Sequence, residues 1–233
     1  MLKNLLFILS LLLPLSLRAQ NLYPPDSAAD QFFLLQQLTG ERYMDAEHKN
    51  EGMYLFEDWF PGRVLLASGH LITNISLRYN GYADELLWLK DKTVQIMIDK
   101  ESIKEFSILA NQREHLFRKL KINFGKDSTE TFCESMYEGK VKVYVWRKDN
   151  LQSEIYRANM LYYIYVPKPV YCLFIGNKSY YLKNTRLKTL YAAVPQLEDR
   201  LRQRIREQHL KVRSEADFLK MIPAVEDILL DAK

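Results

Sequence analysis

Acidic residues are the side chains of this sequence whose spacing could most readily support catalysis. Glu57-Asp58 and Asp84-Glu85 are adjacent pairs. Two carboxyls can act as general acid and base in a glycoside hydrolase, but they must then face each other across a cleft, about 5 to 9.5 Å apart. Adjacency in the sequence does not supply that geometry, so we assign neither pair a catalytic role.

The segment DAEHKNE is the strongest metal-binding candidate. It places Asp45, Glu47, His48 and Glu51 within seven residues. His48 and Glu51 would share a face if the segment were helical, and imidazole and carboxylate are ordinary metal ligands. Polar connecting segments carry such clusters without binding metal, so we predict a solvated loop and assign no metal ligand.

Sequence motifs that indicate a reaction or a cofactor are absent. There is no Gly-rich phosphate loop, nucleophile elbow, HExxH or CxxC, and the four His residues are scattered. A nucleophile needs an oriented base and a metal needs three or four donors. We therefore assign no catalytic residue and no cofactor, and we favour a non-enzymatic protein over an enzyme.

The N-terminal segment MLKNLLFILSLLLPLSLRA predicts a secretory signal peptide cleaved after Ala19. Pro14 and Arg18 interrupt its apolar run, which is shorter than the roughly 20 residues that cross a bilayer. No later stretch is long and apolar enough to do so. We expect an exported protein with no transmembrane segment in its mature chain and no nucleic-acid partner.

Alternating hydrophobicity predicts antiparallel strands through the middle of the chain. In HLITNISLRY, Ile75, Leu77 and Tyr79 alternate with polar residues, which places one face inward and one outward. Tight-turn residues separate such segments at Asn80-Gly81, Glu138-Gly139-Lys140 and Gly176-Asn177-Lys178. Asn80-Gly81 is predicted to be a hairpin turn, and a ligand contact from that loop is the alternative.

The C-terminal region predicts two helices. The first carries Leu201 and Ile205 on a narrow apolar stripe. The second begins with Ser214 and Asp217 in a capping-box pattern, and Pro223 is expected to kink or split it.

The predicted fold class is α+β, mainly antiparallel β, as a meander sandwich or a partly open barrel with a short N-terminal helix and a C-terminal helical hairpin. The predicted divisions are a signal peptide over 1–19, an N-terminal helix and connector over 20–52, an antiparallel β domain over 53–183, and a C-terminal helical segment over 184–233 packed on the β domain.

Two surfaces are candidates for partner contact. Trp59 and Phe60 belong to the aromatic run MYLFEDWFPG, for which packing in the core is the alternative. Arg200 and Arg204 belong to residues 183–213, which carry nine Lys and Arg against three acids, a net charge of +6 compared with +4 for the whole chain. An ordinary solvated helix with internal ion pairs is the alternative there.

Cys133 and Cys172 are the two cysteines, and each lies in a predicted strand. Export would permit a disulfide between them. Two buried free thiols are the alternative, because the sequence does not reveal whether the two Cα atoms approach within about 7 Å.

The chain resembles an uncharacterised family of exported β-rich proteins from Gram-negative bacteria. The resemblance is carried by YLFEDWFPGRVLL, LRYNGYADELL, MYEGKVKVYV, and KTLYAAVPQLEDRLRQRI with SEADFLKMI. It covers most of residues 51 to 230. It implies a β-rich fold and a location in the periplasm or at the cell surface, and it assigns no catalytic residue.

Three functions are compatible with these observations. We expect a non-enzymatic binding or structural module that contacts an envelope protein, a glycan or a lipid. The alternatives are a carboxylate-dependent hydrolase of envelope or dietary polymers and a periplasmic lipid carrier. Two acids that face each other across an aromatic-lined cleft would favour the hydrolase. A hollow apolar interior would favour the lipid carrier, and a filled interior would favour the binding module.

Overall fold

The computed structural model describes residues 33–44, 49–124 and 127–232. Fourteen strands occur in these residues: β1 Gly40–Arg42, β2 Lys49–Glu51, β3 Phe60–Leu66, β4 Leu71–Asn80, β5 Glu85–Lys90, β6 Val94–Ile98, β7 Ile103–Ala110, β8 Arg113–Phe124, β9 Asp127–Glu138, β10 Val141–Trp146, β11 Asp149–Arg157, β12 Met160–Pro167, β13 Val170–Ile175 and β14 Lys178–Leu182. The α-helices that follow them are α1 Leu187–Ala193, α2 Glu198–Glu207 and α3 Glu215–Leu229.

The strands form one large sheet and one small sheet. The large sheet has eleven strands in the order β1-β6-β5-β4-β3-β7-β8-β9-β10-β13-β14, and all neighbours are antiparallel. The small sheet has the order β11-β12-β2, in which β12 and β2 are parallel. The predicted α+β, mainly antiparallel class is confirmed.

The large sheet curls strongly without closing. Tyr79 on β4 contacts Phe132 on β9 with ring centroids 6.4 Å apart, although three strands separate β4 from β9. In a flat sheet four strand spacings would hold these residues about 19 Å apart. Phe106 and Phe117 stack between them, with centroids 4.7 Å apart. The interior of the curl is therefore filled by aromatic side chains.

A second part of the core lies between β10, β13, β14 and the C-terminal helices. Val141, Val143 and Val145 face those helices and are buried. Tyr144 and Trp146 point to the opposite face of β10 and pack in a separate cluster. Both faces of this strand are thus covered.

Two of the three C-terminal helices, α2 and α3, were predicted, whereas α1 was not. Ser214 and Asp217 form a complete capping box at the start of α3. Pro223 lies inside α3, but the helix is not split there and continues to Leu229. Proline removes one backbone hydrogen bond from a helix interior, and the buried side chains of Ile222 and Val225 hold the two halves on the same core.

The N-terminal region is described in part. Residues 33–35 form a helical turn, and the chain leaves the helix before β1 begins at Gly40. The part of the predicted N-terminal helix that precedes residue 33, like the signal peptide, lies outside the described residues. β1 and β2 occupy part of the segment predicted as a connector. Within the described chain no helix is long and apolar enough to span a bilayer.

Candidate functional site

A cavity forms where the small sheet joins the large one. Segments 52–59, 147–148 and 168–169 each join a strand of one sheet to a strand of the other, and we call them the first, second and third crossings. They line a half-open pocket of about 300 Å³, which we call the junction cavity. Its wall takes Tyr54 and Leu55 from the first crossing, Arg147 and Asp149 from or beside the second, and Pro167 and Pro169 from or beside the third.

Asp149 is the acidic residue of this wall. The residue as a whole is only 6% exposed, and in the described chain no hydrogen bond to its carboxylate is found. The carboxylate oxygens keep some accessible surface, which faces the cavity. Burial raises the pKa of Asp149 to about 6. Its backbone N–H donates to the carbonyl of Gly81 at 3.2 Å. Gly81 also packs so closely on the carboxylate that a side chain at position 81 would collide with it.

The nearest basic residues on the wall do not neutralise Asp149, because both are engaged elsewhere. Arg147 Nε donates to Glu134 at 2.5 Å, and its two terminal nitrogens donate to Glu215 at 2.8 and 2.9 Å. The ammonium of Lys148 lies over the ring of Trp146, 4.8 Å from the ring centroid.

The partners of Arg147 form a buried polar network between the two parts of the core. Glu134 is fully buried and contacts His115 Nδ1 at 2.7 Å and Arg113 at 3.1 Å. Burial opposes the ionisation of Glu134, but the hydrogen bond with His115 and the charge of Arg147 outweigh it and lower the pKa of Glu134. The network is internally satisfied, so it anchors Arg147 in the wall.

The aromatic side of the cavity is held by stacking. The guanidinium of Arg78 lies 3.8 Å from the ring centroid of Tyr54 and 4.4 Å from that of Trp59. Cation–π contacts of this kind are worth about 0.5–1 kcal/mol each at exposed sites. Trp59 therefore supports a wall residue, and Phe60 packs edge-on against Phe56 at 5.5 Å. Partner contact through Trp59 and Phe60 stays a prediction.

A second, acidic cavity of about 380 Å³ lies beside the 81–84 turn. Asp84 and Glu85 line it together with Lys100, Glu41 and Asp99, and no Trp or Tyr does so within the described chain. Burial, followed by the charge of Asp84, raises the pKa of Glu85. The adjacent acids Asp84 and Glu85 lie together on one wall.

Asp84 in the acidic cavity is fully engaged by the fold. Its carboxylate accepts hydrogen bonds from the Tyr79 hydroxyl at 2.5 Å and the Phe132 N–H at 3.2 Å, and it pairs with Lys100 at 2.5 Å. These contacts connect the turn after β4 to Phe132 on β9 and to Lys100. Asp84 therefore has a structural role that leaves it little capacity for a ligand.

Arg200 and Arg204 of α2 form ion pairs with acids of the same chain. Arg200 contacts Asp231 at 2.6 Å, and Arg204 contacts Asp227 at 3.0 Å. Both acids lie in the C-terminal segment, so these pairs join α2 to its neighbour. The contacts favour an ordinary solvated helix surface, and partner binding through Arg200 and Arg204 stays a prediction.

Cys133 and Cys172 are buried free thiols in the structure. Contact with the Cys172 thiol, together with burial, raises the pKa of Cys133. The two cysteines lie on β9 and β13, which flank β10. A disulfide between them stays a prediction.

Glu51 is the one residue of the metal-binding candidate that the structure describes, and it lines neither cavity. Asp45, Glu47 and His48 lie outside the described residues, and the rest of the described chain contains no group of three or more His, Cys, Asp or Glu arranged to hold a metal ion. Glu57 and Asp58 are exposed.

Comparisons with family models, with curated proteins and with solved structures gave no match to this chain. The junction cavity was not predicted from the sequence, because its wall comes from segments about 90 and 20 residues apart. Local signals existed only for the turn: Asn80 accepts from the N–H groups of Tyr82 and Ala83, both at 3.1 Å, and Gly81 makes room for Asp149.

Proposed function

We propose that this protein is an exported, non-enzymatic binding module of the Gram-negative envelope, and that it binds a small ligand in the junction cavity. One observation carries the proposal: the carboxylate of a buried aspartate, with no protein donor in the described chain, opens into a half-open pocket. Burying an unpaired polar group opposes folding by about 1–3 kcal/mol. A ligand that supplies the missing partner gives this arrangement a purpose.

The shape of the cavity supports the same function. Ligand pockets are commonly concave, mostly apolar and equipped with a few polar groups, with volumes of about 300–1,000 Å³. The junction cavity lies at the lower end of that range. It combines the charged residues Asp149, Arg147 and Lys148 with the mostly apolar surface of Tyr54, Leu55 and two prolines. Its walls are held by the Glu134 network and by the Arg78 stack, which favours a preformed site.

The hydrolase alternative has less support. The junction cavity is lined by one carboxylate in the described chain, whereas a glycosidase commonly needs two. The acidic cavity holds several carboxylates, but Asp84 is committed to three donors and no Trp or Tyr lines the wall. The lipid-carrier alternative requires a hollow apolar interior, and the stacked Phe106 and Phe117 fill the curl.

Ligand-observed NMR with a small-molecule library tests the binding function. Pro167 is exposed and lines the cavity, so Pro167→Trp should obstruct it. Lys168→Trp places the same side chain one residue further on, outside the cavity wall, as a matched control. We expect ligands that bind the wild type and Lys168→Trp but not Pro167→Trp. Binding that is equally strong in all three proteins would contradict the proposal.

Export is tested separately by mass spectrometry of the chain recovered from a periplasmic extract. We expect an N-terminus at Gln20. A precursor that remains uncleaved in the cytoplasm would contradict the predicted export.

A further inference from the structure

We infer that the ligand of the junction cavity is a small organic amine, whose protonated nitrogen pairs with the Asp149 carboxylate while its apolar body packs against Tyr54, Leu55 and the two prolines. This inference rests on the proposed function and deepens it by naming the class of ligand.

The first step is the state of the acid. Asp149 has no hydrogen-bond donor within the described chain, and it is more than nine-tenths buried. Burial alone accounts for its raised pKa, with no contribution from a neighbouring charge. At pH 7 a carboxyl with a pKa of about 6 is mostly ionised, so a negative charge without a partner faces the cavity.

The second step is that the protein's own cations near the cavity are occupied. Arg147 is held by Glu134 and Glu215, and Lys148 stacks on Trp146. Arg78 stacks on Tyr54 and donates to Gln95 at 3.0 Å. Each of these side chains has an alternative partner that keeps it from Asp149. The positive charge that would pair with Asp149 must therefore come from a ligand.

The third step is the size and polarity of the remaining wall. Apart from Asp149 and the engaged cations Arg147 and Lys148, the wall presents mostly apolar surface, which comes from Gly52, Tyr54, Leu55, Pro167 and Pro169. An inorganic cation would find one carboxylate and few other oxygen ligands, whereas hard cations require about six. An ammonium group needs only a few acceptors, and a hydrocarbon or aromatic body attached to it would displace water from the apolar wall.

The fourth step is that the acid is fixed in place. The Asp149 N–H bonds to the carbonyl of Gly81, and the Gly81 N–H donates to Met53 at 2.9 Å. These bonds join the second crossing, the 81–84 turn and the first crossing into one frame. A carboxylate held in this way can discriminate between ligands of the same shape and different charge.

The test compares three probes of similar shape: benzylamine, benzyl alcohol and benzoate. Binding to the wild-type mature protein is measured at pH 7.5 by isothermal titration or by chemical-shift perturbation. We expect benzylamine to bind at least about tenfold more tightly than benzyl alcohol, because a charge-assisted pair forms only with the amine. Benzoate should not bind measurably, since it would meet the carboxylate with a like charge.

Two variants separate this role from a structural one. Asp149→Asn keeps the size of the side chain and removes its charge, and it should lower benzylamine affinity about tenfold or more while leaving benzyl alcohol unchanged. Glu154→Gln makes the same chemical change at an exposed position of β11 and should alter neither. Circular dichroism of each variant shows whether it is folded.

The possible failures are distinguishable. Equal binding of benzylamine and benzyl alcohol, or full retention of benzylamine binding in Asp149→Asn, overturns the amine assignment. The absence of benzylamine binding also overturns it. In each case the binding function itself stands if library ligands bind the wild type and Lys168→Trp but not Pro167→Trp. It falls if no ligand shows this pattern.

Discussion

Asp84 and Asp149 are two buried aspartates that contact opposite ends of the same turn, and their surroundings differ. Asp84 accepts from Tyr79 and Phe132 and pairs with Lys100. Asp149 has no such donor in the described chain and faces the junction cavity. The fold therefore uses the first carboxylate to join distant strands, whereas it gains nothing comparable from the second.

This difference separates a structural acid from a candidate binding acid. A buried carboxylate opposes folding unless hydrogen bonds and charges compensate it. Compensation at Asp84 comes from three elements: β4, β9 and the segment after β6. Asp149 lacks this compensation, so its burial lowers the stability of the fold. A bound ligand that pairs with the carboxylate would offset the loss. Removing each acid should therefore have effects of opposite sign on stability.

The largest effect is expected from Asp84→Ala. The substitution leaves the buried Tyr79 hydroxyl and the Phe132 N–H without their acceptor, and each unsatisfied donor costs about 1–3 kcal/mol. With the loss of the Lys100 pair, the free energy of unfolding should fall by about 4 kcal/mol in urea denaturation. Asp84→Asn retains an acceptor oxygen and should lose less. A loss below about 1 kcal/mol in Asp84→Ala would contradict the structural role that we assign to Asp84.

A smaller effect of opposite sign is expected from Asp149→Asn. The folded-state pKa of Asp149, about 6, lies above its ordinary value of 3.8, so the unfolded chain gives up this proton more readily. Stability from this group therefore falls as pH rises from about 4 to about 6. The amide cannot ionise, so the variant should gain about 3 kcal/mol at pH 7 and about 0.5 kcal/mol at pH 4.

Urea denaturation at the two pH values measures this gain, with Glu154→Gln as the control for loss of an exposed acid from the same strand. A variant destabilised at both pH values would show that the Asp149 carboxylate has a donor that stabilises the fold.

The smallest effect is expected from Asp231→Asn. Asp231 pairs with Arg200, and both side chains are more than half exposed. Ion pairs of this kind contribute about 0–1 kcal/mol, so thermal and urea unfolding should change by no more than about 0.5 kcal/mol. A change comparable to that of Asp84→Ala would mean that the pair holds the helices on the sheet, and the ranking of the three aspartates would then be wrong.

Local sequence signals predicted much of the fold. Alternation over residues 70–79 indicated β4, and Asn80-Gly81 marked the turn that follows it. Ser214 and Asp217 identified the start of α3. These features depend on residues close together in the chain, so backbone preference and periodicity are sufficient to reveal them. The predicted split at Pro223 was wrong, because tertiary packing outweighs one lost helical hydrogen bond. The predicted kink stays a prediction.

The candidate site could not be predicted in the same way. Asp149 follows Lys148 and Arg147 in the sequence, which suggests a solvated acid beside two cations. Its isolation results from the commitment of Arg147 to Glu134 and Glu215, 13 and 68 residues away. Long-range pairing of this kind has no local signature, and neither does the convergence of the three crossings around the cavity.

The most direct measurement is a ¹³C NMR titration of the Asp149 side-chain carboxyl, assigned with Asp149→Asn. We predict a midpoint near pH 6 in the free protein and a fall of about one unit or more in saturating benzylamine, because a bound ammonium favours the ionised form. A midpoint near the ordinary aspartate value that does not move with benzylamine would contradict the account, since Asp149 would then be neither isolated nor a ligand for an amine.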